Sequence, residues 1–143
     1  MKILIKLIIL SFFVLTVSTN ANEVYFNQGK ELFEKQKYED SKLLFQRSIV
    51  FNPKHSKSYL YLAKIYKIEE NENEETKNLN TTLLLEPDNE EATYLLIEIE
   101  LNRSNFSQVK KLRDNFKSIC SVLCEKLSSI NERLDDIEAK NKS

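Results

Sequence analysis

The sequence predicts an all-α protein, and two observations lead to this. Among 143 residues there are one glycine and two prolines, which leaves little turn chemistry for a many-stranded sandwich or barrel. The two prolines, Pro53 and Pro87, each end an apolar helical stretch. The length allows one small domain with a real core, so we expect long helices joined by short connections.

Residues 1–21 predict a cleaved secretory signal peptide. Two lysines precede the apolar run Leu7–Val17, and small residues follow it in Thr19-Asn20-Ala21, the three-part layout of such a peptide. The run has 11 residues, fewer than the roughly 20 that span a bilayer. We expect cleavage after Ala21 and a bacterial periplasmic location. The alternative is an uncleaved membrane anchor.

A period of 34 residues organises the chain that follows. Pro53 and Pro87 are 34 residues apart, and the same step relates residues of similar type in two successive units. A third unit, from Glu90, matches less well and lacks the closing proline. The related pairs are Tyr25 and Tyr59, Gly29 and Ala63, Leu32 and Tyr66, Phe45 and Leu79, and Ser48 and Thr82.

The first unit resembles the tetratricopeptide repeat family most closely, through Phe33–Ser41 followed by Phe45, Ser48 and Pro53. An aromatic residue near the start, a small residue four positions later and a closing proline are the family's pattern. The resemblance implies a tetratricopeptide-like solenoid of about three helix-turn-helix repeats, with a C-terminal capping helix. The repeats are expected at 22–55, 56–89 and 90–123, the capping helix and tail at 124–143, and the repeat helices near 23–36, 38–51, 56–69, 73–85, 89–102 and 106–119.

The tail begins at a pair of cysteines, Cys120 and Cys124. An even cysteine count in an exported chain favours a disulfide, and a bridge at this spacing requires the helix to break near Ser121. Free buried thiols are the alternative, and thiol redox catalysis is disfavoured because the spacing is not Cys-x-x-Cys. The apolar stripe that we expect to cap the last repeat, rather than to form a dimeric coiled coil, consists of Leu127, Ile130, Leu134 and Ile137.

The family resemblance also implies a concave groove for a protein or extended peptide, lined by the first helix of each repeat. It would carry lysines in its first part and acidic residues at its far end. Alternatively, Phe26 and Phe33 pack internally and the lysines are merely solvated. Of the positions that grip a C-terminal carboxylate in one branch of the family, only that of Lys30 holds a suitable residue. The positions assigned to the groove are Phe26, Lys30, Phe33, Leu60, Lys64, Lys67, Glu91, Tyr94 and Glu98.

Two further features, a lone histidine and an acidic run, are interpreted as ordinary surface structure. His55, the one histidine, follows a proline turn and is expected to be a surface residue at a helix start. The acidic run Glu69–Glu75 is expected to be a solvated loop, since it lacks the glycine of a calcium loop.

Composition excludes several classes of function. A single glycine cannot supply a phosphate-cradling loop, and one histidine with two cysteines cannot form a usual four-ligand zinc site without carboxylates. With 21 basic and 22 acidic side chains, nothing favours nucleic acid. We therefore expect a non-catalytic periplasmic scaffold, monomeric or weakly oligomeric, that binds a protein or peptide and holds no cofactor or metal. A self-associating or membrane-anchored accessory protein is the alternative.

Overall fold

The computed structural model describes residues 21–141, and side chains as far as residue 137. The predicted signal segment up to residue 20 and the last two residues lie outside it. Seven helices make up the described chain, and no strand occurs among these residues. They are α1 (21–34), α2 (Tyr38–Phe51), α3 (Ser56–Ile68), α4 (Glu72–Leu85), α5 (Glu90–Asn102), α6 (Phe106–Ile119) and α7 (Lys126–Asn141).

The predicted all-α class is confirmed, and each predicted repeat helix agrees with an observed one to within two residues at either end. The chain divides into two compact units, unit 1 up to Asn71 and unit 2 from Glu72. At the end of α2, Asn52 is extended, with φ −142° and ψ 92°. This geometry follows from Pro53, because a proline ring disfavours helical backbone in the residue before it.

The 34-residue period reappears in the backbone of the turns. Gln36, Glu70 and Ser104 have φ values of 58°, 56° and 58°, and they follow α1, α3 and α5 at intervals of 34 residues. After α1, the backbone N–H of Lys37 donates to the carbonyl of Leu32. The same six-residue closure joins Asn71 to Tyr66 and Asn105 to Glu100. Each of these helices therefore ends in a Schellman turn around a left-handed residue that is not glycine.

In unit 1, α1 and α2 approach each other closely. A Cβ atom added to Gly29 would lie 2.9 Å from the ring of Phe45 and 3.3 Å from the Cβ of Leu44. The hydroxyl of Ser41 donates to the Gly29 carbonyl at 2.7 Å, and that of Ser48 donates to the Asn22 carbonyl at 3.0 Å. Glycine and serine are small enough for this contact, and the hydroxyls stabilise it with hydrogen bonds across the pair.

Unit 2 packs α7 onto its own core. Ile130 and Leu134 of α7 are 1% and 3% exposed, and they join the cluster formed by α5 and α6. At the start of α5, the Asn89 side chain accepts a hydrogen bond from the Ala92 N–H at 2.9 Å, an N-cap that satisfies an otherwise unpaired donor. The core residues of this cluster are Ile97, Leu101, Val109, Phe116, Ile130 and Leu134.

Candidate partner-binding surfaces

Two residues that the sequence assigned to the groove are instead buried. Phe26 is 7% exposed and Leu60 is 6% exposed. The Phe26 ring lies 4.8 Å from the His55 ring and 5.5 Å from the Tyr61 ring. A side chain enclosed in this way cannot contact a partner, so the assignment of Phe26 and Leu60 was wrong. Internal aromatic packing gains more from burial than an open groove position would.

The remaining groove positions of unit 1 surround an aromatic pair. Phe33 of α1 is partly buried and lies edge-on to Tyr61 of α3, with ring centroids 5.3 Å apart. The Lys64 ammonium lies 4.6 Å from the centroid of the Tyr61 ring, a cation–π distance. Lys30 and Lys67 are exposed; Lys30 is three residues before Phe33 and Lys67 three after Lys64, spacings that place residues on one helix face. We call these five residues the basic–aromatic face.

In unit 2, Glu98 of the predicted acidic end of the groove is paired with Arg133. Tyr94 packs 6.1 Å from the ring of Phe116, and its burial, followed by the nearby charge of Glu98, raises the pKa of its hydroxyl. One guanidinium nitrogen of Arg133, from α7, donates to both carboxylate oxygens of Glu98 at 2.9 Å. Sequence reasoning missed this pair because Arg133 lies 35 residues further along the chain.

The expectation of a surface position for His55 was also wrong. Its side chain is one of the buried polar groups of unit 1. The ring nitrogen Nδ1 lies 2.8 Å from the Ser58 hydroxyl and 3.5 Å from the Ser48 hydroxyl, and Nε2 lies 3.3 Å from a Glu23 carboxylate oxygen. These contacts join α1, α2 and α3, so the histidine serves packing between the helices.

The acidic run Glu69–Glu75 is largely ordered helix termini, not the solvated loop expected from the sequence. In unit 1, the Glu69 carboxylate accepts a hydrogen bond from the Lys42 ammonium at 2.6 Å, which raises the pKa of the lysine. In unit 2, Glu72 in the first turn of α4 accepts a hydrogen bond from the Arg103 guanidinium at 2.8 Å. Carboxylates in a first helical turn also interact favourably with the helix dipole.

The cysteine pair closes a compact loop whose backbone N–H groups bind the carboxylate of Glu90. Cys120 and Cys124 are disulfide-bonded, with Cα atoms 5.2 Å apart, and α6 ends just before the loop, as a bridge at this spacing requires. The Glu90 carboxylate accepts hydrogen bonds from the backbone N–H groups of 121–123 at 2.7–3.3 Å. These bonds, that of Ser121 first, hold the pKa of Glu90 below its ordinary value. The bridged loop is thereby tied to the start of α5.

Other kinds of site find no support in the part of the chain that the structure describes. No group of three or more histidine, cysteine or acidic side chains is placed to hold a metal ion within residues 21–141. Over the same residues, no helix is long and apolar enough to cross a membrane.

Comparison with known proteins bears on the fold. No protein-family model matches the sequence, and the comparison with curated proteins found no significant match. Solved structures do match. The first tetratricopeptide domain of Spaghetti (RPAP3), bound to the HSP90 peptide SRMEEVD, superposes with a TM-score of 0.70 at 13% identity, over 81% of this chain and 97% of that one.

The translocator chaperone SycD of Yersinia enterocolitica type III secretion superposes with a TM-score of 0.72 at 13% identity, over 87% of this chain and 88% of that one. SycD in complex with a peptide of the translocator YopD gives 0.70 at 16% identity, over 83% and 93%. The chain therefore has a tetratricopeptide-like, all-α repeat fold, as the sequence predicted.

Proposed function

We propose that this chain is a non-catalytic protein-interaction module that binds an extended acidic segment of a partner protein at the basic–aromatic face. The observation that carries the proposal is the Phe33–Tyr61 ring pair in unit 1, with the Lys64 ammonium over the Tyr61 ring. Lys30 and Lys67 lie one helical turn from Phe33 and Lys64 on the same helix faces. Two similar structures, RPAP3 and SycD, were solved with bound peptides. This supports an interaction role on a fold of this kind.

The chemistry of the face selects its ligand. The ammonium groups of the three lysines attract carboxylates, and the partly buried rings offer apolar area to an aliphatic or aromatic side chain. Each exposed charge pair contributes only about 0–1 kcal/mol, so several contacts along an extended segment are needed. Binding should therefore weaken as ionic strength rises.

The ligand is recognised through side-chain carboxylates rather than through a terminal carboxylate. Of the positions that hold a C-terminal carboxylate in one branch of the tetratricopeptide family, this sequence keeps a suitable residue only at Lys30. Amidating the C-terminus of a bound peptide should consequently change its affinity little.

The direct test is a fluorescence-polarisation titration with labelled peptides of equal length. One peptide alternates glutamate and leucine, a second replaces glutamate by lysine, and a third is the first with an amidated C-terminus. We expect the first and third to bind alike and the second not to bind. Equal binding of the acidic and basic peptides would contradict a lysine-lined site.

Charge reversals locate the site. Lys64→Glu and Lys67→Glu should each weaken binding of the acidic peptide severalfold. Lys111→Glu makes the same charge change on an exposed position of α6 and should leave binding unchanged. A circular-dichroism melt of each variant controls for folding. If all three variants weaken binding equally, the net charge of the protein accounts for peptide binding and the proposed site is wrong.

We also propose that the protein is exported to a bacterial periplasm. The arrangement of residues 1–21 supports this, and so does the cysteine pair, because disulfides persist in oxidising compartments. The intact mass of the exported protein should correspond to a chain that starts at or near Asn22. A membrane-bound species that retains Met1 would instead favour an anchored accessory protein.

A further inference from the structure

The outward side of α2 in unit 1 is unusually apolar. Leu43 is 56% exposed and Val50 is 77% exposed. Leu43 also lines an open cavity of about 220 Å³ with two further leucines, Leu32 of α1 and Leu44 of α2. Single exposed apolar residues are ordinary. Two exposed apolar side chains on one helix, with Leu43 beside a cavity that two further leucines line, are typical of a contact surface.

Two opposite charges border this cavity. Asp40 and Arg47 line it together with the leucines, and both are exposed. They are seven residues apart in α2, which places them on one face of the helix, about 10 Å apart along its axis. The Arg47 guanidinium lies 5.9 Å from the Tyr25 ring centroid. Among the described residues, Asp40 has no ion-pair partner.

We propose that this surface binds a second copy of the chain, through a two-fold interface in which the two α2 helices run antiparallel. A two-fold axis midway between Asp40 and Arg47 brings Asp40 of one chain opposite Arg47 of the other, twice. It also brings Leu43 and Leu44 of both chains together at the axis. A symmetric interface must be complementary to itself, and one acidic and one basic residue placed evenly about a leucine pair satisfy that condition.

The leucines and the charges have different roles. Burial of Leu43 and the neighbouring leucines supplies the favourable free energy, because exposed ion pairs contribute little. The charge pairs fix the antiparallel register, since a parallel arrangement would place Asp40 opposite Asp40. The interface uses a different surface from the basic–aromatic face and does not depend on the proposed function.

The test is sedimentation equilibrium on the purified native protein and on charge-reversal variants. The native protein should dimerise. Asp40→Arg alone and Arg47→Asp alone each create two like-charged pairs and should weaken dimerisation by roughly tenfold or more. The double variant D40R/R47D restores both pairs and should dimerise as the native protein does. Asp135→Arg, on an exposed position of α7, is the matched control and should have no effect.

A mixture of the two single variants tests the pairing of Asp40 with Arg47 most directly. Asp40→Arg and Arg47→Asp should form a heterodimer when combined, because the mixed pair contains only opposite charges. Native mass spectrometry with one variant isotopically labelled detects it. A native protein that is monomeric throughout would overturn the proposal. A dimer that ignores these charges would also overturn it, since another surface, or the apolar segment before residue 21, would then be responsible.

Discussion

Replacing Gln36 with glycine should stabilise the protein, although glycine usually destabilises. Gln36 has φ 58°, a left-handed conformation in which an L-residue brings its Cβ too close to the following carbonyl oxygen. The Lys37 and Gln36 N–H groups donate to the carbonyls of Leu32 and Phe33 at 2.9 Å, so the turn cannot relax without losing hydrogen bonds. Glycine removes the clash and keeps both bonds.

The magnitude follows from two opposing terms. Left-handed backbone costs an L-residue about 1–2 kcal/mol, and this cost disappears with glycine. The greater freedom of glycine in the unfolded chain costs about 0.4–1 kcal/mol. The net gain for Gln36→Gly should therefore be about 0.8 kcal/mol at the midpoints of the two ranges, and at most about 1.6 kcal/mol. Glu70 and Ser104 occupy equivalent turns, and their glycine variants should gain similar amounts.

Urea denaturation measures the effect, with the slope checked for constancy. The matched control is Gln46→Gly, the same chemical change at an exposed position inside α2. There glycine only lowers helix propensity, and a loss of roughly 0.5 kcal/mol is expected. The two variants should shift the midpoint in opposite directions. If Gln36→Gly destabilises as Gln46→Gly does, the left-handed turn is not a source of strain.

Four further outcomes are expected. Ala63 is fully buried in α3, so Ala63→Leu should lower the stability measured in a thermal melt by roughly 1–3 kcal/mol. Pro53→Ala alters only a helix end and should cost less. If Pro53→Ala proved the more destabilising of the two, the assigned register of the repeat would be wrong. The pKa of Glu90 is lowered in the folded state. The ionised carboxylate therefore stabilises the fold at pH values above the ordinary glutamate pKa of 4.5, and this contribution is lost as the pH falls through the lowered pKa. Glu90→Gln should therefore be less stable than the native protein at neutral pH and converge with it in acid; a constant difference between the two melts at all pH values would exclude the carboxylate as the cause. Thiol counting under denaturing, non-reducing conditions should find no free sulfhydryl from Cys120 or Cys124, and two would refute the bridge in the exported protein. Truncation after Cys124 should lower solubility by uncovering the core of unit 2; a soluble, fully folded product would show that α7 is not a cap.

The local sequence was sufficient to locate the helices. Proline and apolar spacing act within a few residues, and Pro53 placed the end of α2 at the observed residue. The bounds of α6 followed instead from the 34-residue period, since no proline closes the third unit. The small residue of the first unit, Gly29, does lie at a close approach of the helices, because a Cβ atom added there would be 2.9 Å from the Phe45 ring. The three left-handed turns were not predicted, because none of them holds glycine and their regular spacing is visible only in backbone angles.

Contacts between distant residues were decided by the tertiary structure alone. The sequence indicated that Phe26 could either line a groove or pack internally, and only its ring contacts with His55 and Tyr61 made it a core residue. The pairing of Glu98 with Arg133 spans 35 residues, and that of Glu90 with the bridged loop spans 31–33. Helix periodicity fixes which side chains share a face, but the burial and charge of that face depend on which other helix packs against it.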